Sequence, residues 1–106
     1  MLEREYQAKL IKKLRDLFPG CVILKNDTDY QPGIPDLAIF FRDRWAMLEV
    51  KANAKTRHQP NQDYYVKMLN EMSFAAFIYP SNEQDVLSAL QHAFQSGRNT
   101  RVPWRQ

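Results

Sequence analysis

The sequence predicts one α/β (α+β) domain with the element order α-β-β-β-α-β-α, in which helices flank a four-stranded mixed sheet. Three observations predict it. Apolar residues recur at helical spacing near the start, at Leu2, Tyr6, Leu10, Leu14, Leu17 and Phe18. Short apolar runs of strand length follow, punctuated by Pro, Gly, Asn and Asp. Two further helical stretches then bracket one more apolar run.

The first helix is expected over 2–18, with Lys9, Lys12, Lys13 and Arg15 on its solvated face, and Pro19-Gly20 stops it. Cys21 to Lys25 is a short strand, and Asn26 to Gly33, with Asp27, Asp29 and Pro32, is a loop. Strands over 36–41 and 44–51 form a hairpin. Ala52 to Gln59 is a polar, basic linker carrying Lys55, Arg57 and His58. Pro60 suits the first turn of a second helix that runs to about Met72. Ser73 to Tyr79 is β-like, Pro80-Ser81-Asn82 turns the chain, and Ser81 or Asn82 is placed to cap a third helix over about 83–95, which Gly97 ends. The domain is expected to occupy 1–97, leaving 98–106 as a basic tail with Trp104. Tyr64, Tyr65, Phe74, Phe77 and Trp45 read as core or interface residues, and Met47 and Met68 as core filler.

Bulk properties bound the function. A chain of 106 residues is one domain with a real core and no room for two. Hydrophobic content of 44% and charged content of 25% are ordinary for a soluble globular protein, and no run approaches a membrane span. The start MLEREYQ has no signal-peptide core, and the lone Cys21, read as a buried thiol, fits a reducing cytoplasm. A net charge of +3 is compatible with nucleic acid without requiring it.

The chemistry concentrates in GIPDLAIFFRDRWAMLEVK, residues 33–51. Side chains alternate along a strand, so Glu49 and Lys51 share a face. If Arg42-Asp43 is the whole hairpin loop, Phe41 faces Arg44 and Asp36 falls opposite Glu49. Opposed residues on one face have Cβ atoms roughly 4.5–5.5 Å apart, a spacing that suits two carboxylates sharing one divalent cation. A three-residue loop would instead set Asp36 against Val50. An acid and an ammonium side by side on a hydrophobic sheet point to metal-assisted phosphate chemistry. An exposed ion pair on an amphipathic strand would leave the same triplet. His58 and His92 are too isolated to suggest a zinc site.

This element order, with Pro35-Asp36 opening the second strand and Glu49-Val50-Lys51 on the third, resembles the PD-(D/E)xK nuclease superfamily. Within it the chain looks most like the virus-type replication-repair nuclease (VRR-NUC) domains, which are similar to Holliday junction resolvases. The resemblance covers about residues 3–79. It implies a restriction-endonuclease-like core and a cytoplasmic divalent-metal endonuclease that hydrolyses phosphodiester bonds of DNA, structure-selective for branched or Holliday junction substrates, and a homodimer. Residue by residue, Asp36 matches the motif aspartate, Glu49 the second acid and Lys51 the motif lysine. The family's first-helix glutamate falls on Glu3 or Glu5, and its glutamine after the lysine on Gln62 or Gln59.

On that reading Mg²⁺, replaceable by Mn²⁺, is held by Asp36, Glu49, the Val50 carbonyl and Glu3. Lys51 orients water or meets developing negative charge, and Gln62 holds a phosphate or water without changing the local charge. Lys25, Lys55, Arg57 and His58 grip flanking phosphates. The alternative is a non-catalytic DNA- or partner-binding module of the same fold. RNA is the further substrate option, because nothing in the chain distinguishes the sugar.

Overall fold

The computed structural model describes residues 1–95, and the predicted tail with Trp104 lies outside them. The elements are α1 (Glu3–Leu17), β1 (Val22–Lys25), β2 (Leu37–Phe41), β3 (Arg44–Val50), α2 (Gln62–Met72), β4 (Ala75–Ile78) and α3 (Glu83–Gln95), the predicted order. The sheet runs β1-β2-β3-β4, antiparallel except for the parallel β3–β4 pair, so it is mixed as predicted. A parallel pair cannot be closed by a tight turn, and α2 supplies the crossover.

The two faces of the sheet have different tasks. Leu37 and Ile39 of β2, Ala46, Leu48 and Val50 of β3, and Ile78 of β4 bury themselves with Tyr6, Leu10 and Leu14 of α1 and Leu87, Leu90 and Phe94 of α3. Phe18, Phe41 and Phe94 close one end of this core with ring centroids 5.0–5.7 Å apart. The Tyr6 hydroxyl donates to Glu83 Oε1 at 2.8 Å and the Lys13 ammonium to Glu83 Oε2, which ties α1 to α3. On the opposite face α2 covers β3 and β4. Val22, Leu24 and Phe40 on that face are exposed.

The hairpin has the two-residue loop. Phe41 faces Arg44 and Leu37 faces Leu48. Arg42 takes the left-handed conformation (φ 58°), as a tight hairpin turn demands, and its guanidinium lies 4.8 Å from the Phe41 ring centroid.

Three local expectations change. The second helix begins at Gln62, because Asn61 is left-handed (φ 72°) and helical geometry cannot pass through it toward Pro60. Strand β4 is shorter than 73–79: Ser73 is the C-cap of α2, and the Asn70 side chain accepts the Ala75 N–H at 3.1 Å where the chain leaves the helix. Of the two expected caps, Ser81 and Asn82, it is Asn82 that directly precedes α3, its carbonyl accepting the Val86 N–H at 3.0 Å, while its side chain turns back to β4, accepting from the Tyr79 N–H (2.8 Å) and donating to the Phe77 carbonyl (3.0 Å).

Candidate active site

The β2–β3 register carries Asp36 to Glu49. Each observed pair sums to the same register, so the residue before Leu37 faces the residue after Leu48. Asp36 is held at both ends. Its carbonyl accepts the Asn26 N–H at 2.8 Å, and its Oδ2 accepts the Val50 N–H at 2.9 Å. Asn26 also donates its side-chain amide to the Pro35 carbonyl at 2.8 Å. Met47 donates its N–H to the Phe74 carbonyl just before β4 and Lys51 to the Ile78 carbonyl in it, both at 2.9 Å, so by alternation the backbone groups of Val50 face β2. There the register sets Val50 against Pro35, which has no N–H to give the Val50 carbonyl. The proline of the motif thus removes a ladder donor beside the two acids.

Glu49 and Lys51 are 2% and 5% exposed, which overturns the reading of an exposed pair on an amphipathic strand. The Lys51 ammonium donates to Gln62 Oε1 (2.8 Å) and the Arg57 carbonyl (3.2 Å) and stands 3.7 Å from Glu49 Oε2. Gln62 donates from Nε2 to Glu49 Oε2 at 2.9 Å and accepts the Gln59 N–H at 2.9 Å. A neutral amide at the start of α2 thereby joins acid to base. Glu49 Oε1, in contrast, is buried and receives no hydrogen bond from an N–H or ammonium group, although the Glu49 and Asp36 carboxyls lie within hydrogen-bonding reach of each other when one of them is protonated. Such an atom is costly to leave in a folded core.

The electrostatics follow from this crowding. Burial first, and then the neighbouring Asp36 charge, push Glu49 up to about 8 against the pull of Lys51, and Glu3 adds to the push. Burial also raises Asp36 above the ordinary carboxylate range, against the Val50 N–H. The two carboxyls are close enough to share a proton and cannot both ionise cheaply without a cation.

Around these groups lies a cleft of about 490 Å³, walled by the 26–34 loop, the 52–61 loop and the start of α1. Glu3 lines it; Glu5 does not, and its carboxylate accepts the Leu2 N–H at 3.2 Å. Gln59 and Gln62 both line it, and Gln62 holds the two charged groups. Of the four expected phosphate contacts only Arg57 reaches the cleft. Lys25 is exposed on the edge strand, and Lys55 is exposed in an Asn53 turn. His58 stacks on Phe77 (4.0 Å, 13°) and pairs with Asp63 Oδ1 at 2.7 Å.

Sequence reasoning missed Asn26 and Asn61, and it read Gly33 only as part of the Gly-x-Pro-Asp strand start. Gly33 (φ 94°) lies so near Asn61 that a Cβ on it would meet the Asn61 Cβ at 2.5 Å, and this contact brings the two loops together. A Gly before a Pro-Asp strand start was the available signal for Gly33; Asn26 and Asn61 carried none. Tyr64, read as core or interface, is 61% exposed.

The donors fit a hard cation: Asp36, Glu49 with its unpartnered oxygen and the Val50 carbonyl, while Glu3 lines the same cleft without being gathered with them. Among the described residues no group of three or more His, Cys, Asp or Glu side chains is gathered for an ion, so the set is two close carboxylates supplemented by a carbonyl. Mg²⁺ keeps several waters and accepts so few protein ligands. No helix among the described residues is long and apolar enough to cross a membrane. No protein-family model, no curated protein and no solved structure matches the chain.

Proposed function

We propose that the chain is a divalent-metal-dependent endonuclease of the PD-(D/E)xK type, of the VRR-NUC group, that hydrolyses phosphodiester bonds in DNA, with a preference for branched structures and a homodimer as its working form. The observation that carries the reading is the buried Glu49 oxygen that receives no hydrogen bond from an N–H or ammonium group, set beside Asp36 and facing a cleft. An acid kept there at a cost to folding needs a reason, and a hard cation supplies it.

Asp36, Glu49 and the Val50 carbonyl would hold Mg²⁺ or Mn²⁺, and Glu3, on the wall of the same cleft, would position a water or a second ion. The bound ion supplies charge neutralisation at the phosphate and a more acidic water. The chain does the rest. The Val50 N–H fixes the Asp36 carboxylate. Gln62 orients both Glu49 and the Lys51 ammonium. Lys51 presents positive charge where the transition state gains negative charge. Arg57 stands at the mouth to contact a neighbouring phosphate.

The test incubates purified protein with linear and four-way-junction DNA in Mg²⁺, Mn²⁺ or EDTA, beside Asp36→Ala and Lys51→Ala. Metal-dependent cutting abolished in both variants supports the reading. Cutting that persists in both refutes this site. DNA binding that survives EDTA, with no turnover on any substrate, makes the chain a docking module instead.

A further inference from the structure

Resting on the reading of the cleft as a nuclease site, we infer that His58 is a positioning residue for the Lys51 ammonium. It fastens the 52–61 loop so that the Arg57 carbonyl reaches Lys51, and it does not itself touch the nucleic acid. Arg57 and Gln59 line the cleft, and His58 between them does not. Its ring lies instead on the Phe77 ring, with centroids 4.0 Å apart and planes at 13°, and its Nδ1 meets Asp63 Oδ1 at 2.7 Å. Both partners belong to the framework that holds the acid and the ammonium. Phe77 is the β4 register partner of Glu49, so the two side chains share a face of the sheet. Asp63 stands in the first turn of α2, whose first residue, Gln62, bridges Glu49 and Lys51.

Two peptide groups of the loop reach the site, and both hinge on the His58 Cα. The Arg57 carbonyl, which accepts the Lys51 ammonium at 3.2 Å, lies in the rigid peptide plane that ends at that atom. The Gln59 N–H, which donates to Gln62 Oε1 at 2.9 Å, lies in the plane that begins there. A ring held between the sheet and α2 therefore fixes the origin of both planes. The bonds among Asn53, Lys55 and Thr56 are internal to the loop, and Asn53, Ala54 and Lys55 are exposed. With the His58 ring removed, that stretch offers little burial to hold Arg57 in place. A displaced carbonyl leaves the buried ammonium short of a partner and aims its charge less well at the transition state. The loss falls on the rate and spares nucleic-acid binding.

The experiment compares the full chain with His58→Ala, with His58→Phe, which keeps the stack, and with His58→Asn, which keeps a donor near the Nδ1 position. Local opening is read first, because it needs no turnover. In His58→Ala, hydrogen exchange at the Gln59 amide and acetylation of Lys51 by a small acylating reagent should both speed at least about tenfold, while core amides of α1 stay within about twofold. The Phe or the Asn variant should restore part of that protection. In DNA cleavage with Mg²⁺, His58→Ala should lower kcat about tenfold at a KM within about twofold of wild type. The slope of log affinity against log salt should hold, whereas loss of a phosphate contact reduces it by about 1. Unchanged exchange at Gln59 and Lys51, equal acceleration in α1, no recovery in either conservative variant, or a raised KM with a shallower salt slope overturns the inference. If the wild-type chain cuts no DNA while Gln59 and Lys51 still open in His58→Ala, the nuclease reading falls and the fastening of the loop stands.

Discussion

Replacing Glu49 by Gln removes a proton-binding group from the most crowded point of the molecule while keeping its shape. In the wild-type chain Glu49 titrates near 8 when folded and near its ordinary 4.5 when unfolded. Between those values the folded chain holds a proton that the unfolded chain has released, so stability falls as pH rises through that window. At about 1.4 kcal/mol per unit, the loss reaches at most about 4 kcal/mol by pH 8, and proton sharing with Asp36 reduces it. Gln has no proton to lose, and its amide can donate to Asp36. In EDTA, Glu49→Gln should therefore be more stable than wild type at pH 8, with the advantage shrinking toward pH 4.5. Roughly 4–8 °C in Tm accompanies each kcal/mol in a domain of this size. Urea melts at four pH values measure it. Adding Mn²⁺ should shrink the variant's advantage: about 2.7 kcal/mol is gained at one hundred times Kd by a chain that binds the ion, and little by the variant. A variant curve parallel to wild type across pH, or a variant less stable at pH 8 in EDTA, would refute the account of the buried carboxyl pair.

Further outcomes follow from single contacts. Gly33→Ala should cost about 2 kcal/mol or more in urea unfolding, since it adds a clash with Asn61 to left-handed strain, whereas Gly20→Ala (φ 87°, with open space around the site) should cost only the strain, about 1–2 kcal/mol; equal costs would remove the proposed closure of the two loops. Gln62→Leu leaves the Lys51 ammonium and Glu49 without their shared partner, so stability should drop by about 1–3 kcal/mol, and any metal-dependent cleavage should fall about 10–100-fold. Asn26→Ala removes the donor to the Pro35 carbonyl, and calorimetric Mn²⁺ titration should detect weaker binding with an intact fold. Leu10→Ala, at a fully buried position of α1, should cost about 2–5 kcal/mol by denaturant melts without changing the pH dependence described above.

Much of the architecture was legible in the chain because it is written in short periods. The i, i+4 spacing of Tyr6, Leu10 and Leu14 marks the buried stripe of α1, and alternation in Arg44–Val50 marks which residues of β3 face α1 and α3. The same arithmetic placed Asp36 opposite Glu49, because a two-residue loop leaves the strands one register. Boundaries were less legible. Nothing local announces that Asn61 is left-handed, since that conformation is held by its packing against Gly33.

By itself the sequence determined that Glu49 and Lys51 share a face, and that Asp36 faces Glu49 if the hairpin loop has two residues, since both statements need only the pleat of a strand and the count of residues in a hairpin; the structure decided that the loop has two. The tertiary structure alone decided that the pair is buried, that Gln62 bridges it, and that Glu3 and not Glu5 lines the cleft. Those facts depend on how α1, α2 and two loops dock on the sheet, through contacts between residues far apart in the chain. Desolvation, which sets the charge state of Glu49, exists only once that docking has excluded water.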